Sequence, residues 1–290
     1  MFCPECRAEY RPGLAHCADC DVDLIPEFLF KEHPSVFRRS WIIAAISVLV
    51  LTAATYAHEI LDLFDWYGRL HATYPFYFVE SIDKTGAAIL CILSVWLLYR
   101  GSFRSVLERL GLSGNAPRAL AFGIAASLPM LFGFALRFHL NSRLEFLSIT
   151  FLDFFSPLVE EVEFRGLGVL QLQRGTGWPF WVAVWPSAIL FGYGHVEQGQ
   201  SRLEMLGLFL LTGLGGVVFA WLAYKWQSLW VAVALLICMN LWWDIFSVST
   251  NAIGGWLPFA LQTLTIIIAV GGTLYLTKPR TLAGLASGPR

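Results

Sequence analysis

Eight apolar runs, each long enough to cross a bilayer, dominate this chain and leave it few ways to fold. They lie at roughly 41–57, 82–99, 119–137, 146–172, 178–195, 204–224, 228–246 and 257–277. A spanning helix needs about 17–25 predominantly apolar residues. Charged residues make up only 14% of the 290 and hydrophobic residues 57%, whereas a soluble domain carries about 25% charged residues. Mean hydropathy is +0.61. Such a chain has too little polar surface to cover a water-facing globule. Inside a bilayer every backbone N–H and C=O must be satisfied within the protein, which favours helices. The expected fold is therefore an all-α polytopic membrane protein with about eight transmembrane helices, multi-pass in the cell membrane with the lipid bilayer as its solvent. Net charge is -1, so no global field attracts nucleic acid, and no such partner is expected.

The first 27 residues have a different composition. Cys3 and Cys6 form one C-x2-C pair, and Cys17 and Cys20 form a second. Two such pairs on a short ribbon can give four thiolates to a tetrahedral zinc. A segment this small has almost no core, so a metal would supply its folding energy. Residues 1–27 are expected to be a zinc ribbon with structural zinc, and 28–40 a linker containing Pro34. His16 could substitute for one cysteine, but four cysteines make that unnecessary. Two redox dithiols are the alternative. Cys91 and Cys238 sit in apolar runs and read as inert packing residues.

Orientation follows from Lys and Arg in the loops. The N-terminal tail carries Arg7, Arg11, Lys31, Arg38 and Arg39. The loop after the second run carries Arg100, Arg104, Arg109 and Arg118, and the C-terminus carries Lys278, Arg280 and Arg290. Eight spans put all three groups on one side, which should be cytosolic. Thiolate zinc needs a reducing compartment as well. Both termini are therefore expected in the cytosol. The loop 58–81 on the other side carries Glu59, Asp62, Asp65 and Glu80 against Arg69.

Function must come from polar residues that the membrane should exclude. The fourth run contains Glu160, Glu161, Glu163 and Arg165. Each ionisable group at mid-bilayer costs about 2.5–3.5 kcal/mol, so four unpaired groups would cost roughly 10–14 kcal/mol. They must be buried against protein or water. Glu161 and Arg165 are four apart and can pair, whereas Glu160 lies about 100° away and can face a cavity. The fifth run ends with Phe191 and His195, and the seventh contains Asn240 and Asp244, each pair again four apart. Taken singly, the pair Glu161–Arg165 and the pair Asn240–Asp244 read as interhelical glue, and His195 as an interfacial residue. Converging on one cavity, a carboxylate and an imidazole can activate water, and an amide can donate to a developing oxyanion. No HExxH and no GxGD occurs, so the zincin and presenilin-like arrangements are missing. Ser156 and Ser187 stand beside proline and read as structural.

These motifs resemble those of the CPBP family, also called the type II CAAX prenyl endopeptidase or Abi family. Its pattern is EExxxR, then FxxxH, then HxxxN or a variant, on three membrane helices. Glu160-Glu161-Val162-Glu163-Phe164-Arg165, then Phe191 to His195, then Asn240 to Asp244 follow that order. The resemblance covers about 145–246, within a membrane domain of 41–290. It implies an intramembrane endopeptidase that cleaves a membrane-associated peptide or protein. Glu160 and His195 would activate the attacking water, with Glu161, Arg165 and Phe191 in support. The third motif would face the scissile carbonyl oxygen. Its usual His is Asn240 here, and its usual Asn is Asp244. Asn240 can still donate through its amide, but an ionised Asp244 can only accept. The sequence leaves open whether this site uses a metal.

Three readings remain: an intramembrane endopeptidase, a non-catalytic member of the same fold that binds a partner, and a transporter or channel using the buried charges. The zinc ribbon lies outside the motif core. It reads either as a docking element for a protein partner or as a folded cap.

Overall fold

The computed structural model describes residues 1–4, 9, 14–17, 21–26, 34–249 and 254–277, and the side chains of 34–38 lie outside what it describes. Its architecture is a bundle of helices preceded by a small β element.

In the β element, β1 (His16–Cys17) pairs antiparallel with β2 (Val22–Asp23). Phe2 exchanges backbone hydrogen bonds with Ile25. Cys3 and Cys17, one from each cysteine pair, are fully buried and pack with Leu24. Cys6 and Cys20 lie outside the described residues. His16 meets Asp21 Oδ1 at 2.9 Å through Nε2 and Asp23 Oδ1 at 3.0 Å through Nδ1. Both ring nitrogens are thus taken by carboxylates, and those bonds raise the His16 pKa.

Eleven helices follow among the described residues: α1 (Pro34–Thr55), α2 (Ala57–Asp62), α3 (Trp66–Thr73), α4 (Phe76–Tyr99), α5 (Phe103–Leu110), α6 (Ala116–Arg137), α7 (146–176), α8 (Phe180–Tyr193), α9 (Arg202–Trp226), α10 (Trp230–Ile245) and α11 (Trp256–Leu276). Each of the eight apolar runs lies mainly on one helix, of 14 to 31 residues. Helix α1 starts at Pro34, inside the stretch expected to be linker, and proline suits a first helical turn because its missing N–H is unpaired there anyway.

Four helices are long and apolar enough to cross a membrane: α4, α6, α9 and α11. That is fewer than the eight runs. The physical reasons are length and charge. At 1.5 Å per residue, α8 with 14 residues and α10 with 16 fall short of a hydrocarbon core about 30 Å thick. The described side chains of α1 cover only Arg39–Thr55. Helix α7 is long enough but carries Asp153, Glu160, Glu161, Glu163 and Arg165. The four spans expose large apolar side chains, such as Leu97 on α4, Leu206 on α9 and Ile267 on α11. Apolar surface on this scale needs lipid or partner protein to cover it.

Helix α7 is the axis of the bundle. It is α-wound with two wider, π-wound stretches, Ile149–Phe155 and Glu161–Gln171. Such stretches are rare and cluster at functional sites. All eleven residues of the second stretch are buried. Packed around them are α1, α4, α5, α8 and α9. Helix α6 packs on α10 and α11. Close approach there depends on Gly123, where an added Cβ would sit 2.9 Å from the Ala234 backbone. Small residues at such crossings are the usual device of membrane helices.

One end of the bundle is tied together by polar contacts. Ser40 Oγ donates to the Thr176 carbonyl at 3.0 Å, and Ser47 Oγ to Gln171 Oε1 at 2.9 Å. The Arg174 guanidinium donates to the carbonyls of Glu108 and Arg109 and to Gln227 Oε1. Gly111 accepts from Leu229 N at 2.8 Å and adopts φ +80°. A Cβ there would also strike the Leu170 side chain at 2.6 Å, so glycine is required twice over.

Candidate functional site

At the other end a cavity of about 350 Å³ opens. Its floor is the middle of α7, which brings Glu160, Glu163 and Phe164. One wall is the first half of α4, with Glu80, Asp83 and Lys84. Another is the end of α8 and the turn after it, with Phe191 and His195. The rim is the end of α1 with α2 and α3, contributing His58, Glu59 and Tyr67. The fourth and fifth runs thus deliver Glu160 and His195 to one space, as their motifs predict.

Glu160 follows Pro157 by less than one turn. Its Oε1 accepts from Ser156 Oγ at 2.8 Å and from Lys84 Nζ at 3.3 Å. Its Oε2 carries neither bond. His195 stands just beyond the end of α8, where it opens a short turn, Val196–Gln198. The expected helix 178–195 therefore stops two residues early, at Tyr193. The His195 Nδ1–H donates to the Phe191 carbonyl at 2.7 Å. A carbonyl can only accept, so Nδ1 carries a proton, and in the neutral ring the lone pair is then on Nε2.

Glu161 points the other way. It is fully buried and pairs with Arg165, Nη1 to Oε1 at 3.1 Å. The Arg165 guanidinium lies 4.1 Å from the centroid of the Phe191 ring, a cation–π contact. Phe191 stacks edge-on against Phe164 at 5.0 Å and lies 4.6 Å from the His195 ring. The supporting trio is therefore one packed column: Glu161 holds Arg165, Arg165 seats Phe191, and Phe191 carries His195 on its carbonyl.

The third motif does not line this cavity, although its helix α10 packs on the 149–160 part of α7. Asn240 and Asp244 are not among the residues lining the Glu160–His195 cavity. Asp244 lines a separate pocket with Asn141, Arg143 and Trp243. Its carbonyl accepts from Asn141 Nδ2 at 3.1 Å. There the 139–141 segment pairs with 245–247 through Asn141 N to Ile245 O and Ser247 N to His139 O. Trp242 and Trp243 pack on α6: Trp242 Nε1 donates to Ser127 Oγ at 2.9 Å, and Trp243 meets Phe134 edge-on.

Sequence reasoning missed four contributors. Lys84 gives the cavity its ammonium, and the signal was there: Asp83-Lys84 heads an apolar run where charge is costly. Ser156 bonds to Glu160, unlike Ser187, whose Oγ donates to the Phe164 carbonyl in a structural role. Helices α2 and α3 occupy a stretch expected to be plain loop. Their polar side chains interlock with α4, since Tyr67 donates to Glu80 and His71 Nε2 sits 3.1 Å from the same carboxylate. Burial, with Glu80 beside it, pushes the Tyr67 phenol up, so it stays a donor. Among the described residues, no group of three His, Cys, Asp or Glu side chains is placed to hold a metal.

A half-buried carboxylate and an imidazole thus share one cavity in a helical membrane protein. Comparison with known families then gives the group: residues 141–242 match the family model described as "Type II CAAX prenyl endopeptidase Rce1-like". Over that stretch, about a third of the sequence, the chain is similar to that family. No curated protein and no solved structure matches the chain.

Proposed function

We propose that the chain is an intramembrane endopeptidase that hydrolyses a peptide bond of a membrane-associated peptide or protein. One observation carries this reading: Glu160 and His195, from separate motifs, line the same cavity, each with a proton acceptor to spare. A water between them would give a proton to the Glu160 carboxylate while its oxygen attacks the scissile carbonyl carbon. The C–N bond then breaks, and the proton passes to the leaving amine. Oε1 is held by Ser156 and Lys84, which leaves Oε2 for the water. Lys84 is also the cavity's own ammonium, available to the charge that develops on the carbonyl oxygen. The low-dielectric wall strengthens these interactions.

The second reading is a non-catalytic member of the fold that binds a membrane partner. It is favoured by the position of Asn240 and Asp244 outside this cavity. Terminal-peptide proteomics on membranes from wild-type and Glu160→Ala cells separates the two readings. Loss of specific membrane-protein fragments in the variant is the expected result. Identical termini at equal protein abundance would reject the protease.

In this reading the chain crosses the membrane eight times, with the short helices α8 and α10 completing their spans through flanking loops, and both termini are cytosolic. Residues 1–27 hold structural zinc through Cys3, Cys6, Cys17 and Cys20. Support comes from the joint burial of Cys3 and Cys17 against a minimal core, and from His16 being engaged by two aspartates. Zinc there would contribute folding energy and a docking surface for a protein partner. Chelation should unfold this segment and leave the helical signal of the bundle unchanged by circular dichroism. Loss of bundle helicity would argue against an independent ribbon.

A further inference from the structure

The two ends of the bundle differ in charge, and the cavity belongs to only one of them. The end tied by Ser40, Thr176 and Arg174 gathers the start of α1, the ends of α4, α7 and α9, and the start of α10. It carries Arg39, Arg100, Arg104, Arg109, Arg118 and Arg174, and it is the end from which both terminal segments lead off. The opposite end carries Arg69, Arg137, Arg143 and Arg202, and each end has one arginine in a pair four apart, Arg104 with Glu108 at 3.0 Å and Arg69 with Asp65 at 2.9 Å. Basic excess marks the cytosolic side.

Every rim residue of the Glu160–His195 cavity lies at that opposite end. Thr55 is the last residue of α1, and His58 and Glu59 follow it on α2. Glu80 is on the second turn of α4, and Gln198 closes the turn after α8. Glu197 and Gln198 are exposed. The path from water to Glu160 therefore starts where α1 and α8 finish, not where the terminal segments begin.

Building on the endopeptidase reading, we infer that this cavity opens on the non-cytosolic face and receives a peptide segment from that side of the bilayer. A C-terminal tail that is made and lipid-modified in the cytosol would meet the arginine-rich end, where this cavity does not open. The substrate class is then a membrane protein or anchored peptide whose cut segment is a non-cytosolic juxtamembrane stretch.

Gln198→Cys at the rim and Ser113→Cys, an exposed turn residue between α5 and α6, report the two faces. Intact spheroplasts are treated with a membrane-impermeant sulfonated maleimide, and labelled positions are mapped by mass spectrometry. The expected result is labelling of Gln198→Cys in intact cells and of Ser113→Cys only after permeabilisation. Labelling of Gln198→Cys only after permeabilisation, or of Ser113→Cys without it, overturns the proposal. In the same cells, termini lost in Glu160→Ala should map to non-cytosolic segments, and cuts confined to cytosolic tails would also overturn it. If no terminus is lost, the protease reading fails while the labelling still decides which face the cavity opens on.

Discussion

Glu160 and Glu161 are neighbours in sequence and opposites in the structure. Glu161 is sealed against Arg165 in the core, while Glu160 keeps one oxygen for a cavity shared with His195. The same costly residue type is used twice, once to fix the scaffold and once to face chemistry. The difference lies in the partners. Glu161 has one charged partner, Arg165, on its own helix. Glu160 is held by Ser156 from its own helix and by Lys84 from α4, both on the same oxygen.

The comparison can be broken most severely at His195. His195→Ala should lower cleavage by about 10²–10⁴-fold, the usual worth of a positioned acid–base group, with little change in unfolding temperature. The structural carboxylate should behave the other way. Arg165→Met strands Glu161 without its partner, and breaking a buried pair costs about 3–5 kcal/mol. Thermal unfolding in detergent should show a large drop, and the double variant Glu161→Gln with Arg165→Met should recover part of it. Recovery would locate the damage in the uncompensated charge, not in lost volume.

Smaller effects sharpen the contrast. Ser156→Ala removes one hydrogen bond to Glu160, worth about 1–1.5 kcal/mol, the upper end for an ordinary net hydrogen bond. It should slow turnover by roughly 5–10-fold with KM unchanged. Asp244→Asn should change turnover least, within about twofold by the scale of ordinary surface substitutions, because Asp244 lines a different pocket. A loss there as deep as that of His195→Ala would bring the third motif back into the chemistry.

Most of the helical plan was legible. Each apolar run became a helix, but among the described residues only four are long and apolar enough to span a bilayer. The pairing of Glu161 with Arg165 was legible too, because spacing by four survives the wider winding of Glu161–Gln171. Other features were hidden for physical reasons. The stretch 58–81 has no long apolar period, and α2 and α3 hold through contacts with α4 such as Tyr67 to Glu80. Lys84 stood out as a charge at the head of an apolar run, but its partner Glu160, 76 residues away, was not legible. The shared spacing of the three motifs also suggested one meeting point. The structure brings two of them together and leaves Asp244 in a separate pocket, beside the backbone pairing between 139–141 and 245–247.

The most direct test measures Glu160→Gln and Glu161→Gln side by side, each purified in detergent, for cleavage rate and unfolding midpoint. The substrate would be the fragment identified by terminal proteomics. Glu160→Gln is expected to keep the wild-type midpoint and lose at least about 100-fold in rate, whereas Glu161→Gln should lose stability first. Wild-type cleavage by Glu160→Gln would contradict the assignment of chemistry to that carboxylate.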